Sequence, residues 1–188
     1  TLIEGEYSSV SIADGDTAQQ AVEELYRHGH RRIAALISRP NDQSISQLRY
    51  EGYVQALESH GIPVDPELVI STGGFGAKDA YRAVQEKMAE NVDFTALFAI
   101  ADSMAIGAMR ALMDAGRRIP EDCSVIAIDG LELSAYIEPP LTTLCQPMEE
   151  MGRRSAEILL DMVRHKGSHA CELLPTTLRQ GRSVAAPR

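Results

Sequence analysis

The chain has 188 residues, 44% hydrophobic and 24% charged, a balance that can bury a core and that excludes a disordered polar chain. Eighteen Lys and Arg against 27 Asp and Glu leave a formal charge of −9; phosphate backbones would repel such a surface, so broad nucleic-acid contact is excluded as its own task. Every apolar run is broken by a charge, a Gly or a Pro well short of about 18 residues, which excludes a membrane-spanning helix.

Along the chain, short apolar runs that read as strands alternate with stretches of helical spacing. Residues 10–12 are a first short strand. A helix over 17–27 carries Ala18, Ala21, Val22 and Leu25 on one face and stops at Gly29. The run 33–37 is a strand, followed by a polar loop through Pro40, Asn41 and Asp42. A helix over about 46–60 turns Leu48, Tyr53, Ala56 and Leu57 inward and ends at Gly61. Next come a strand over 68–71, a loop with Gly73, Gly74 and Gly76, and a helix over 79–88. The apolar run 96–101 leads into a helix from Ser103 that carries Met104, Ile106, Ala108, Met109, Leu112 and Met113. Residues 123–128 are a buried strand with Asp129 at its carboxyl end, and Pro139 and Pro140 break the chain before 141–144. A helix over about 149–165 completes the series, with Met148, Met151, Ser155, Ile158, Leu159 and Met162 in a stripe that is expected to be core rather than interface. Near-continuous apolar strands separated by helices imply a parallel sheet covered on both faces, an α/β, doubly wound architecture.

Cys123, Cys145 and Cys171 are odd in number and lack CxxC spacing, which argues against a disulfide framework or a zinc site and fits a reducing cytoplasm. His28 and His30 lie in a basic cluster over 27–32, and His165 and His169 have helical spacing, yet no Cys or carboxylate completes a metal set. They read as surface or helix-end histidines, and no metal or cofactor is expected. The chain opens on Thr1 without a signal-peptide pattern and is expected to be a piece of something longer.

Ligands of open parallel sheets bind beyond the carboxyl ends of the strands, and there the chain places Asp14, Asn41, Asp42, Asp102 and Asp129. Carboxylates accept hydrogen bonds from adjacent hydroxyls, so such a ring suits a sugar or nucleoside better than a phosphate. Each aspartate could instead cap the helix that follows it. For Asp102, ahead of Ser103 and Met104, both readings stay open; Asp129, followed by Gly130 and Leu131, is freer to face the cleft. Arg49 is drawn inward beside Leu48, Tyr53 and Leu57, where its fork could grip a carboxylate or adjacent hydroxyls; a solvated surface arginine is the other reading. Phe75, between Gly74 and Gly76, either stacks on a ring or anchors its loop. No GxGxxG, GxxxxGK[ST], GxSxG or HExxH motif is present, so an enzyme is not expected.

The segment Gly29, His30, Arg31, Arg32, Ile33, Ala34 resembles the effector-binding core of the LacI/GalR family of bacterial transcription regulators. More matches follow in order: Arg49, Tyr50, Glu51, Gly52, Tyr53 with Ala56 and Leu57; Asp102, Ser103, Met104, Ala105, Ile106, Gly107, Ala108; and Ile119, Pro120, Glu121, Asp122, Cys123, Ser124, Val125, Ile126 with Asp129. Pro140, Leu141, Thr142, Thr143, Leu144, then Glu150, Met151, Gly152, then Leu178, Arg182 and Ser183 complete them. The resemblance implies a two-lobed core of the type I periplasmic-binding-protein kind, here mainly the carboxyl-terminal lobe, formed by about 14–144 plus 173–188. Residues 1–13 and 145–172 would be remnants of the amino-terminal lobe. It implies a small effector, a sugar or nucleoside-like molecule, bound between lobes of a cytoplasmic homodimer away from membranes, and operator DNA bound only through an amino-terminal helix-turn-helix missing here. By the same similarity effector contacts map onto Arg49, Asp129, Phe75 and Asp102. Departures touch the pocket: the family's Asp, Asn pair reads Ala13, Asp14, its Asn before the central Asp reads Ala101, and its Gly, Phe, Asp run reads Ala127, Ile128, Asp129. Asp14 is therefore a displaced candidate. The alternatives are a sugar-binding protein of an ABC transporter, which shares the fold, and an enzyme of the same architecture.

Overall fold

Apolar runs without a polar break become strands buried on both faces, and these form the middle of the main sheet. In the computed structural model, which describes residues 7–38, 44–165 and 170–188, the chain folds as β1 (Ser9–Ile12), α1 (Asp14–Arg27), β2 (Ile33–Ser38) and α2 (Ile45–Ser59). It continues through β3 (Val69–Thr72), α3 (Ala77–Ala89), β4 (Ala96–Ala99), α4 (Asp102–Asp114) and β5 (Ser124–Asp129). The last part holds β6 (Thr142–Cys145), α5 (Met148–His165), β7 (Cys171–Leu174) and β8 (Thr177–Arg179). Six strands pair in the order β3-β2-β4-β5-β6-β8, all parallel except β8, which runs antiparallel to β6. β1 and β7 pair with each other in a separate two-stranded parallel sheet.

All of β2 and β4 is buried, so both faces of the main sheet are covered, as the doubly wound reading requires. α1 packs on α2, and α3 packs on α4. Tyr53, Phe94 and Phe98 are the largest side chains in the core, and the Tyr53 hydroxyl, which must keep a partner when buried, donates to the Ile33 carbonyl at 2.9 Å. No helix among the described residues is long and apolar enough to cross a membrane.

Several expectations need correction. The first helix begins at Asp14, three residues earlier than its apolar pattern shows, because Asp14 and Asp16 favour the positive end of the helix dipole. β7 and β8 escaped the sequence reading; they are four and three residues long and have no buried face. The stripe of α5 is not core: Met148 and Leu159 are 65% and 61% exposed, Ser155 is exposed, and Met151, Ile158 and Met162 are only half-buried. α5 meets chiefly β1, and a two-stranded sheet is too narrow to cover so wide a face. Met113, read as part of the inner face of α4, is also exposed, and Leu48 is half-buried. Asn41, Asp42 and His169 lie outside the described residues.

The chain passes between the two sheets three times, from β1 to α1, from β6 to α5 and from β7 to β8. At the third crossing the hydroxyls of Thr17 and Thr176 approach to 3.5 Å.

Candidate ligand-binding site

At the carboxyl ends of the parallel strands, residues from four segments converge on one guanidinium. Arg49, on the buried face of α2, donates from Nε to Asp14 Oδ1 at 2.7 Å, and from Nη1 to Asp129 Oδ1 at 3.2 Å and to the Ile100 carbonyl. Asp14 heads α1, Asp129 ends β5, and Ile100 follows β4. Gln146, just past β6, donates from Nε2 to Asp129 Oδ1 at 2.8 Å and from its backbone amide to the Asp129 carbonyl at 3.1 Å. The side chains of Arg49, Asp14 and Asp129 are 4%, 9% and 24% exposed, so Asp129 offers the most surface to a ligand.

Asp129 takes this position with φ at 135°, in a region that a residue bearing a Cβ rarely enters, and Gly130 follows at 77°. Such backbone costs about 1–3 kcal/mol and persists only where its surroundings hold it. Here Arg49 and Gln146 hold it.

Burial separates the strand-end aspartates from one another. Asp102 has no exposed surface. Its Oδ2 accepts from the Leu131 amide at 2.8 Å and the Ser134 hydroxyl at 2.7 Å, and its Oδ1 accepts from the Thr143 hydroxyl at 2.6 Å. Burial pushes its carboxyl above the ordinary aspartate value, and the three hydrogen bonds pull the other way. The mapping of Asp102 as an effector contact is therefore corrected: it braces the segment between β5 and β6 from beneath. Nor does it cap its helix, whose N-cap is Ala101. Asp14 is turned toward Arg49 and shows little surface. Nε and Nη1 of Arg49 are bonded within the protein, to the carboxylates of Asp14 and Asp129 and to the Ile100 carbonyl.

Phe75 is 43% exposed on the loop after β3, and its carbonyl accepts from the Ser103 hydroxyl at 2.6 Å. No other aromatic stacks on it among the described residues, which favours a platform over a packing anchor. Sequence reasoning missed Gln146. Its signal is its place just beyond β6, the parallel strand paired with the one that ends in Asp129. Beside Asp14 a groove of about 240 Å³ opens, lined by Ser11, Asp14, Asp16, Leu48 and their neighbours.

In hydrogen-bonding terms the cluster offers a ligand the remaining Nη2 donors of Arg49 and the second oxygens of Asp14 and Asp129, which make no other hydrogen bond among the described residues. A hydroxyl can donate to such an oxygen while accepting from such a nitrogen. Adjacent hydroxyls match this arrangement of one donor group between acceptors.

Known proteins share this architecture. The model of a family described as "periplasmic binding protein-like domain" matches residues 22–184. The HTH-type transcriptional regulator MalR of Clostridium butyricum is 36% identical over 172 residues, covering 92% of this chain and 51% of MalR. The HTH-type transcriptional repressor CytR of Escherichia coli K12 is 38% identical over 175 residues, covering 90% and 51%. A solved complex of the transcriptional regulator CelR with cellobiose superposes with a TM-score of 0.89 at 34% identity, over 97% of this chain and 56% of that one. The chain thus spans about half the length of the curated relatives it matches.

Proposed function

This chain belongs to the LacI family of transcriptional regulators, and from that membership we propose that it is the ligand-sensing part of such a regulator. It binds a sugar or nucleoside-like effector over the Arg49 cluster and passes the binding event to a helix-turn-helix module outside these residues. The observation that carries this reading is the convergence of Arg49, Asp14, Asp129 and Gln146 on one point beyond the parallel strands, where open α/β sheets take their ligands. Phe75 supplies a stacking face at the rim.

The reading divides the chain as the resemblance does, with about 14–144 and 173–188 in one lobe and 1–13 and 145–172 in the other. In support, β1 and β7 form a sheet of their own and α5 packs on β1. The effector acts by its difference in affinity for two arrangements of the lobes. The regulator works in the cytoplasm as a homodimer. In support of a dimer, Leu131, Leu133 and Tyr136 stand 44%, 63% and 78% exposed on one short segment after β5, and clustered apolar surface of this kind marks interaction sites. MalR, CytR and CelR are described as transcriptional regulators, which favours this reading over a transporter's sugar-binding protein or an enzyme.

Calorimetric screening of sugars and nucleosides against the protein and its Arg49→Ala and Asp129→Ala variants tests the pocket. Both variants should lose at least about tenfold in affinity for whatever the parent binds. An affinity unaltered in both would place the site elsewhere.

A further inference from the structure

Arg49 and Gln146 hold Asp129 at its own carboxylate and carbonyl; the turn that follows it, residues 130–134, is held separately. Leu131, Glu132 and Leu133 point outward and are exposed, so packing does not fix this turn. Its polar ties do, and one of them comes from β8. Arg179 stands directly opposite Thr143 in the antiparallel pairing of β8 with β6, and opposite residues of such a pair share a face of the sheet. On that face Thr143 turns to Asp102, and Arg179 reaches across β6 to the turn after β5.

There its guanidinium donates from Nη1 to the Gly130 carbonyl at 3.4 Å, and from Nη2 to the Leu131 carbonyl at 3.0 Å and to the Ser134 hydroxyl. The Ser134 hydroxyl in turn donates to Asp102, which also accepts from the Leu131 amide. A carboxylate and a guanidinium thus grip one turn from two sides, joined through a single hydroxyl. Stability alone does not explain the grip. In reaching the turn Arg179 leaves its Nε buried with no hydrogen-bond partner among the described residues, and a buried donor without a partner costs stability.

Strained backbone such as that of Asp129 persists only where its surroundings over-determine it, and affinity gains when a site is held in its binding geometry before the ligand arrives. We propose that Arg179 is a positioning residue for ligand binding: its fork fixes the turn over 130–134 and, through it, the backbone that aims the Asp129 carboxylate into the cleft. This rests on the ligand-sensing reading above. Arg179 acts from behind the site; without it the turn relaxes, and a ligand has to restore the strain itself.

The test is calorimetric titration of the protein, Arg179→Met and Arg179→Lys with ribose, cellobiose and uridine. Met keeps the apolar stem, whereas Lys keeps the charge but lacks the planar fork that spans several acceptors. Both variants should bind the tightest of these probes about tenfold more weakly, the affinity equivalent of the strain handed to the ligand. Double-mutant cycles locate the effect. The loss caused by Arg179→Met should vanish in Asp129→Ala, or shrink in Asp129→Asn where Asp129→Ala binds nothing measurable, and should persist in full in Phe75→Ala, on a loop apart from the turn. Full affinity in Arg179→Met overturns the proposal, and full affinity in Arg179→Lys overturns it too, by making the charge sufficient without the fork. A loss of equal size in both backgrounds places the action of Arg179 elsewhere, and a loss that vanishes in both marks general loosening; either overturns the role while leaving the ligand-sensing reading intact. If no probe binds the protein itself, that reading fails, and the proposal with it.

Discussion

Gly52 of α2 lies so close to α1 that a Cβ on it would stand 2.1 Å from the carbonyl oxygen of Gly15. This contact of backbone on backbone sets Arg49, nearly one turn earlier on α2, beside Asp14 at the head of α1. Gly52→Ala is expected to push the helices apart. Overpacking of this kind costs about 1–3 kcal/mol, more than the roughly 1 kcal/mol that Ala gains over Gly within a helix. Urea unfolding should show a lowered midpoint and titration a weaker ligand. An unchanged midpoint would mean that the two backbones separate at no cost.

Removing Arg49 strands two carboxylates. Arg49→Ala should destabilise the protein by about 3 kcal/mol, the lower end for a broken buried pair, since Asp129 keeps some contact with water. Adding Asp14→Asn to Arg49→Ala removes one stranded charge, so the double variant should be more stable than Arg49→Ala alone. A double-mutant cycle in urea measures this coupling. Additive losses would show that the charges do not sense each other.

Asp102 separates charge from hydrogen bonding. The Thr143 hydroxyl can turn from donor to acceptor, so Asp102→Asn can present its oxygen to the Leu131 amide and Ser134 and its nitrogen to Thr143. That variant should fall within about 1 kcal/mol of the parent, whereas Asp102→Ala, which orphans three donors, should cost about 2–3 kcal/mol. Burial raises the native carboxyl above its ordinary 3.8, so between that pH and the native value the folded chain keeps a proton that the unfolded chain gives up. Stability therefore falls as pH rises through this window. Asp102→Asn should remove that slope, as urea midpoints across the acid range would reveal.

The core and the site were legible in the sequence to different depths. β2, β4 and β5 could be read because a strand buried on both faces needs an unbroken apolar run, and 33–37, 96–101 and 123–128 supply it. Arg49 was legible because the apolar face of α2 carries it inward. The role of Asp102 was not, since only the distant Ser134 and Thr143 decide whether its oxygens are free. α5 misled for a related reason: helical periodicity marks a face to be covered but does not say that the cover lies within the same chain. β7 and β8, with neither length nor a buried face, left no pattern to find.

His30, expected from the sequence to lie at the surface or a helix end, is instead buried, with Nδ1 at 2.9 Å from the Thr95 hydroxyl and Nε2 at 2.8 Å from the Ala185 carbonyl, because the carboxyl-terminal tail covers it. That carbonyl can only accept, so Nε2 carries a proton. Burial, reinforced by the nearby charges of His28 and Arg31, holds its pKa below the ordinary 6.5. As pH falls below that value the unfolded chain takes up a proton that the native chain refuses, so stability drops. Urea midpoints at pH values of about 7.5 and 5.5 should fall less in His30→Gln than in the parent. Equal falls would show that His30 does not govern the acid limb.

The ligand cluster and the connections between the two sheets draw on the same short segments. Asp14 closes the first crossing, Gln146 sits on the second, and Thr17, one turn along α1 from Asp14, reaches Thr176 on the third. On the ligand-sensing reading proposed above, an effector seated on Arg49 would lie within a few residues of all three crossings, and substitutions that hold the sensor in one state are expected to cluster near these crossings rather than scatter through the core.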